Sequence, residues 1–196
     1  MQIYLIRHGE TFENVNTMLM GRTHGQLSSR GREQAQKTGV ALKEKEIKYM
    51  YSSPLLRCVD TAEIMNNILH VPFEKDELLI ERDFGVYTNA TTETIDFNTL
   101  DEDSIENNSA GVETLEQVRG RMCGFMEKIS KTHPVDDVVV VTHNNPIRLF
   151  LGDVLGKTYQ EILKEYKIHN CGINIFKYTD AYLPSIVSLD DVSHLV

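Results

Sequence analysis

Apolar and polar positions along the chain follow two periods, and the period switches from one segment to the next. Ile3-Tyr4-Leu5-Ile6 is a short unbroken apolar run and predicts a buried strand over Gln2–Ile6. A polar, glycine-bearing loop follows from His8 to Ser28. Ser28 or Ser29 then caps a predicted helix reaching about Glu46, with Ala35, Gly39 and Leu42 on its inner face. Tyr49–Tyr51 is a weak strand signal, ended by the turn Ser52-Ser53-Pro54. Cys58, Ala62, Met65 and Leu69 recur at i, i+4, i+7 and i+11, the spacing of one buried helical stripe.

The clearest helical pattern spans about Glu113 to Lys131, with Leu115, Val118, Met122, Phe125 and Ile129 on one face. Asp137–Thr142 contains Val138-Val139-Val140-Val141, a β-branched run suited to a parallel strand covered on both faces. A helix is expected from about Pro146, a shorter one near Tyr159–Lys164, and strands over Gly172–Tyr178 and Ser185–Leu189. This alternation predicts an α/β fold: a three-layer α/β/α sandwich with a mostly parallel central sheet, one domain over residues 1–196. The stretch from Phe84 to Ala110 is rich in Thr, Asn, Asp and Glu and has little periodicity. We expect an inserted cap segment there, about residues 84–112, above the sheet.

Composition narrows the function. A net charge of −9 argues against nucleic acid and against an anionic membrane surface, both of which select basic proteins. No apolar run approaches the ~20 residues that span a bilayer. Met1 runs directly into the first apolar stretch, so no secretory signal is expected, and the expected location is cytoplasmic. Cys58, Cys123 and Cys171 are odd in number and widely spaced, which suits small buried residues rather than a disulfide framework or a zinc site.

The candidate chemistry lies at two strand ends. Arg7-His8-Gly9-Glu10 follows the first buried strand, and His143-Asn144-Asn145 follows the valine strand just before a helix. Ligands of open α/β sheets bind beyond the carboxyl ends of strands, where strand order reverses. The helix starting near Asn144 would present backbone N–H groups to an anion. Arg7 and Arg57, the latter opening the second helix, offer permanently charged forks suited to a phosphoryl group.

At these residues the chain resembles the histidine phosphatase superfamily, also called phosphoglycerate-mutase-like. The resemblance rests on Leu5-Ile6-Arg7-His8-Gly9-Glu10-Thr11 with Asn14, Gly21-Arg22, Leu27 to Gly31 with Gln34-Ala35, and Tyr51-Ser52-Ser53-Pro54-Leu55-Leu56-Arg57. It continues through Thr61-Ala62-Glu63, Leu79-Ile80-Glu81-Arg82-Asp83-Phe84-Gly85, and Val141-Thr142-His143 with Ile147-Arg148. The resemblance implies that His8 is a nucleophile carrying a phosphohistidine, with its other ring nitrogen donating to an acceptor. It implies that Arg7, Arg57 and His143 bind the phosphoryl oxygens, with His143 most useful when protonated, and that Glu81 is the proton donor. The implied substrate-binding set is Arg7, Asn14, Gly21, Arg22, Arg57, His143 and Asn144, with Glu10 ordering the loop. The chain departs from the family pattern at Asn144-Asn145, where glycines are common, and at Thr88-Asn89, where a Glu-Gly pair is common.

The resemblance implies a metal-independent phosphomonoester hydrolase that needs no cofactor, working as a monomer or homodimer on a phosphorylated small molecule or phosphoprotein. Two alternatives stand beside it, a phosphoglycerate mutase-type phosphotransferase and a non-catalytic phospho-ligand-binding module. No Lys or Arg lies between Arg82 and Arg119, while Asp83, Glu93, Asp96, Asp101, Glu102, Asp103, Glu106, Glu113 and Glu116 do. An acidic overhang of this kind would repel a second anion and favour a substrate whose organic part is neutral, apolar or cationic. Arg22, His24 and Arg148 are the cations left for a second anion.

Overall fold

A computed structural model of the chain describes residues 1–100, 109–179 and 184–196. Strands β1 (Gln2–Arg7), β2 (Ile47–Ser52), β3 (Phe73–Lys75), β4 (Asp137–Thr142), β5 (Ile173–Lys177) and β6 (Ser185–Asp191) form one sheet in the order β3-β2-β4-β1-β5-β6. β1 pairs in parallel with β4, and β2 in parallel with both β4 and β3. β5 runs antiparallel to β1, and β6 antiparallel to β5.

Successive strand residues face opposite ways, and the valine run serves both faces. Ile3, Leu5, Val138 and Val140 pack with helices α5 (Leu115–Thr132), α6 (Asn144–Leu155) and α7 (Tyr159–Glu165), through Met122, Phe125, Ile129, Ile147, Leu151 and Ile162. Tyr4, Ile6, Val139 and Val141 pack with α2 (Ser29–Leu42) and α3 (Leu56–Leu69), through Ala35, Leu42, Cys58, Ala62 and Met65. The expected three-layer sandwich is therefore present. Each fully buried aliphatic of this kind contributes roughly 1.5–3 kcal/mol.

Several boundaries differ from the sequence pattern. α2 stops at Leu42 because no apolar residue returns to its inner face before Ile47, which already begins β2. α6 begins at Asn144, two residues before Pro146. Proline fits there because first-turn N–H groups have no intrahelical partner. β3 and the single turn α1 (Phe12–Val15) were not anticipated; α1 is started by a capping box between Thr11 and Asn14. The described part of the 84–112 segment contains α4 (Phe97–Leu100), and Phe84, Leu100 and Val112 form a small core of its own. Among the described residues no helix is long and apolar enough to cross a membrane.

This topology positions the site. β1 and β4 are neighbours, yet the long helices that follow them, α2 and α6, cover opposite faces of the sheet. The chain therefore diverges at the carboxyl ends of these two strands and leaves a crevice between them.

Candidate active site

His8 leaves the end of β1 and His143 the end of β4, and the His8 N–H donates to the Thr142 carbonyl at 3.0 Å. The two rings meet edge to face, with centroids 5.4 Å apart. His8 Nδ1 lies 2.8 Å from the Gly9 carbonyl oxygen. Gly9 N–H donates to Thr61 Oγ1 at 3.0 Å, and Thr61 Oγ1 donates to the Arg57 carbonyl at 2.6 Å, so α3 holds the loop after β1. Asn170 Nδ2 donates to the His8 carbonyl (2.8 Å) and to Asn14 Oδ1 (3.3 Å) from the opposite side. Glu10 accepts from Ser28 Oγ at 2.7 Å and orders the loop, as expected.

His143 is completely buried, its Nε2 lying 2.8 Å from Ser53 Oγ and 3.4 Å from Cys58 Sγ. Burial, followed by the charges of Arg57 and Arg7, pushes the His8 imidazole well below its ordinary range. Burial, Arg57, His8 and Arg7 do the same to His143. Both rings are thus neutral at pH 7, and the protonated His143 expected from the sequence requires the counter-charge of a phosphoryl group.

Arg7 and Arg57 converge on the same crevice. Arg7 donates through Nη1 to the Ile168 carbonyl at 2.8 Å. Arg57 is gripped by the 21–24 loop: Nη2 donates to the Gly21 carbonyl at 2.9 Å, and Nη1 to the Thr23 and His24 carbonyls. Gly21 has φ +51°, a left-handed conformation suited to glycine, and this turns its carbonyl onto Arg57. Among the described residues the Nε atoms of both arginines are buried without a hydrogen-bond partner, which suits them to an anionic ligand. Burial lowers both guanidinium pKa values, Arg7 to about 10, which still leaves both charged at pH 7.

Glu81 is the carboxylate of the crevice and is nearly buried. Thr142 Oγ1 donates to the Leu79 carbonyl at 2.7 Å and ties the Glu81 segment to the end of β4. Glu81 Oε1 accepts from Arg82 N–H (2.8 Å) and from Asn145 Nδ2 (3.1 Å), and the Tyr159 hydroxyl donates to Asn145 Oδ1 at 2.5 Å. The resulting cavity, about 300 Å³, includes in its polar part Arg7, His8, Asn14, Arg57, Glu81 and Asn144, joined by Arg82, Thr92, Asn145 and Tyr159. Its apolar part comes from Met18, Leu19, Met20, Phe84, Phe97 and Leu163.

The structure thus gathers His8, Arg7, Arg57, Glu81, Asn14, Gly21 and Asn144 around one cavity, with His143 against His8. Arg22 does not join them. Its guanidinium pairs with Glu113 (3.1 Å) and Asp83 (3.7 Å), because the turn after Gly21 aims it at the start of α5. Arg148 is likewise committed, donating to Asn144 Oδ1 and to the Ile162 and Tyr166 carbonyls. His24 is exposed and accepts from Leu56 N–H through Nδ1.

Of the acids expected to overhang the cavity, two are paired elsewhere. Glu113 and Asp83 face Arg22, and Glu113 also pairs with Arg121 at 2.8 Å. Asp101, Glu102, Asp103 and Glu106 lie outside the described residues. Among the described residues Glu81 is the acidic side chain that lines the cavity. Sequence reasoning missed Tyr159 and Asn170 and gave Asn145 no partner, since the residues they bond lie 14 to 162 positions away and leave no local signal. Among the described residues no cluster of three or more His, Cys, Asp or Glu is placed to hold a metal ion.

With this geometry in view, a sequence profile of the histidine phosphatase superfamily (branch 1) matches residues 3–191. The chain belongs to the histidine phosphatase superfamily. The chain is 31% identical over 154 residues to the uncharacterized phosphatase PhoE of Bacillus subtilis (strain 168), a match covering 79% of this chain and 77% of that protein. It is 30% identical over 162 residues to phosphoserine phosphatase 1 of Hydrogenobacter thermophilus, covering 80% of this chain and 77% of that one. Its fold matches Bacillus stearothermophilus YhfR with a TM-score of 0.87 at 23% identity, over 100% of this chain and 99% of that one.

Proposed function

We propose that the chain is a phosphomonoester hydrolase that carries the phosphoryl group on Nε2 of His8. The observation that carries this reading is the contact of His8 Nδ1 with the Gly9 carbonyl. A carbonyl only accepts, so Nδ1 holds the proton and Nε2 keeps its lone pair. Burial between two arginines keeps the ring neutral, and therefore nucleophilic, at pH 7.

Nε2 attacks phosphorus in line with the leaving oxygen. The P–N bond forms as the P–O bond breaks, and Glu81 gives its proton to the departing alcohol. Arg7, Arg57 and the N–H groups opening α6 hold the equatorial oxygens, and His143 joins them once the phosphoryl charge supports its protonation. Glu81 then takes a proton from the water that attacks phosphorus, which releases inorganic phosphate and free His8. The two guanidinium groups and the helix terminus supply the charge stabilisation that a divalent ion would otherwise give, so the proposed reaction needs neither metal nor cofactor.

The apolar rim favours a small phosphorylated metabolite or phosphoprotein side chain whose organic part is neutral and apolar. A mutase reading requires a subsite for a second anion; Arg22 and Arg148 are engaged elsewhere, and Arg82, which lines the cavity, donates to the Glu113 and Leu100 carbonyls.

Hydrolysis of an aryl phosphate in excess chelator tests the proposal. Chelator-insensitive turnover, abolished in His8→Ala, and an acid-labile, base-stable phosphate trapped on the denatured enzyme are expected. Turnover that survives loss of His8, or that disappears in chelator, would refute it.

A further inference from the structure

Glu81 touches the cavity through a carboxyl whose two oxygens differ in surroundings. Oε1 receives the N–H of Arg82 at 2.8 Å and the side-chain amide of Asn145 at 3.1 Å. Oε2 makes no hydrogen bond among the described residues, and Glu81 lines the cavity beside His8 and Arg57. Asn145 is itself fixed. It is the second residue of α6, it is buried, and its Oδ1 receives the Tyr159 hydroxyl at 2.5 Å. Oε1 already accepts the Arg82 N–H and is therefore the acceptor oxygen of the carboxyl, so the NH2 of Asn145 faces it and the Asn145 carbonyl faces the phenol. Tyr159 opens α7 and lines the same cavity.

We propose that Asn145, held by Tyr159, is a positioning residue that aims Glu81, pinning Oε1 so that Oε2 is the oxygen that carries and returns the proton. The inference rests on the phosphohistidine reading above and adds a division of labour within it. Proton transfer demands the right oxygen within hydrogen-bonding reach of the leaving group. A carboxyl free to rotate presents either oxygen and spends part of its time aimed at neither reactant. With Oε1 occupied by two donors, the proton resides on Oε2. It passes to the leaving oxygen as the P–O bond breaks, and Oε2 then accepts one proton from the hydrolytic water. Asn145 transfers nothing and is not a catalytic residue.

The test uses kcat/KM, which reports steps up to the first irreversible one, here formation of the phosphohistidine. An alkyl phosphate needs a proton on its leaving oxygen, whereas p-nitrophenolate leaves without one. Asn145→Ala should lose roughly 10- to 100-fold on an alkyl phosphate, a part of the ~10²–10⁴ that general acid catalysis supplies. On p-nitrophenyl phosphate it should lose less than about 3-fold. Tyr159→Phe, which removes one half-buried hydroxyl and endangers folding little, should show the same selectivity at smaller size. Glu81→Gln sets the full selective loss, and His8→Ala sets the zero.

An equal loss on both substrates in Asn145→Ala, or none on either, would overturn the proposal, as would an unselective Tyr159→Phe. The parent reading fails separately. If Glu81→Gln is itself unselective, or His8→Ala remains active, the acid or the nucleophile has been misassigned, whatever Asn145 does.

Discussion

Gly31 is the position where the smallest substitution should do the most damage. It is the third residue of α2, and a Cβ built on it would lie 2.0 Å from the Glu10 carbonyl oxygen and 2.8 Å from the Glu10 nitrogen. Both are backbone atoms, so no side chain can rotate aside. Ordinary contact begins near 3.4 Å, so Gly31→Ala must separate the loop after β1 from the start of α2 by roughly 1 Å. That separation strains the Ser28 N–H bond to the Glu10 carbonyl (2.9 Å) and the Ser28 Oγ bond to the Glu10 carboxylate (2.7 Å). Overpacking of this kind costs about 1–3 kcal/mol, and a weakened hydrogen bond adds about 1. Glu10 is two residues from His8, so the proposed nucleophile moves as well, and a misplacement of about 1 Å costs on the order of 10² in rate.

The assay pairs urea denaturation with kcat/KM on p-nitrophenyl phosphate, and Gly120→Ala is the control. Gly120 lies within α5 and its Cβ would meet nothing within 4 Å, so relief of the helical glycine penalty should stabilise by about 0.5–1 kcal/mol. Gly31→Ala should destabilise by about 2–4 kcal/mol and lower kcat/KM by about 10². If the two variants behave alike, the close approach of loop and helix does not exist as described and the reasoning fails.

Two further outcomes follow from the electrostatics and the rim. His8 and His143 are both held below their unfolded range, so the unfolded chain binds more protons than the folded one at mildly acid pH. Stability is then complete above about pH 6.5 and falls as pH drops towards the folded values, by up to about 1.4 kcal/mol per pH unit for each imidazole. Denaturation midpoints between pH 5 and 8 check this, and stability that rises on acidification over that window would contradict it. Leu163 lines the cavity at 44% exposure, so Leu163→Arg places a cation at the rim at little cost to folding. The ratio of kcat/KM for phosphoglycerate to that for a neutral aryl phosphate should rise about tenfold, and an unchanged ratio would remove the rim from substrate selection.

The valine strand, the sandwich and the two histidine-bearing strand ends were legible because each is written locally. Four consecutive β-branched residues admit a strand covered on both faces, and His143 follows that run after one residue, as His8 follows the apolar run Ile3–Ile6. β3 was not legible, since three residues carry no period and Phe73–Lys75 is a strand only because β2 offers its edge. The fate of charged side chains was hidden for a related reason. Sequence counts the acids between Arg82 and Arg119 but gives no direction, and Glu113 turns away from the cavity because Arg22 and Arg121 both meet it. The apolar rim draws on residues from Met18 to Leu163, and nothing local marks them as a set.

The two departures from the superfamily pattern show how position decides what a residue can do. Asn89 has φ +69°, so it takes the left-handed conformation that the more usual glycine would, and its N–H donates to the Leu19 carbonyl at 2.7 Å. There asparagine substitutes for glycine by tolerating its backbone. Asn144 and Asn145 occupy the first two positions of α6 and need no left-handed conformation. At a helix start asparagine costs little, and its side chain is free to bond elsewhere. Asn144 Oδ1 receives Arg148 Nε, which fixes the arginine away from the cavity, and Asn145 bridges Tyr159 to Glu81. A glycine pair here would leave the same backbone N–H groups for an anion but would have no side chain to restrain either the arginine or the acid. The departure from the pattern is therefore where this chain places the side chains that hold Arg148 and the Glu81 carboxyl without altering His8 or its arginines.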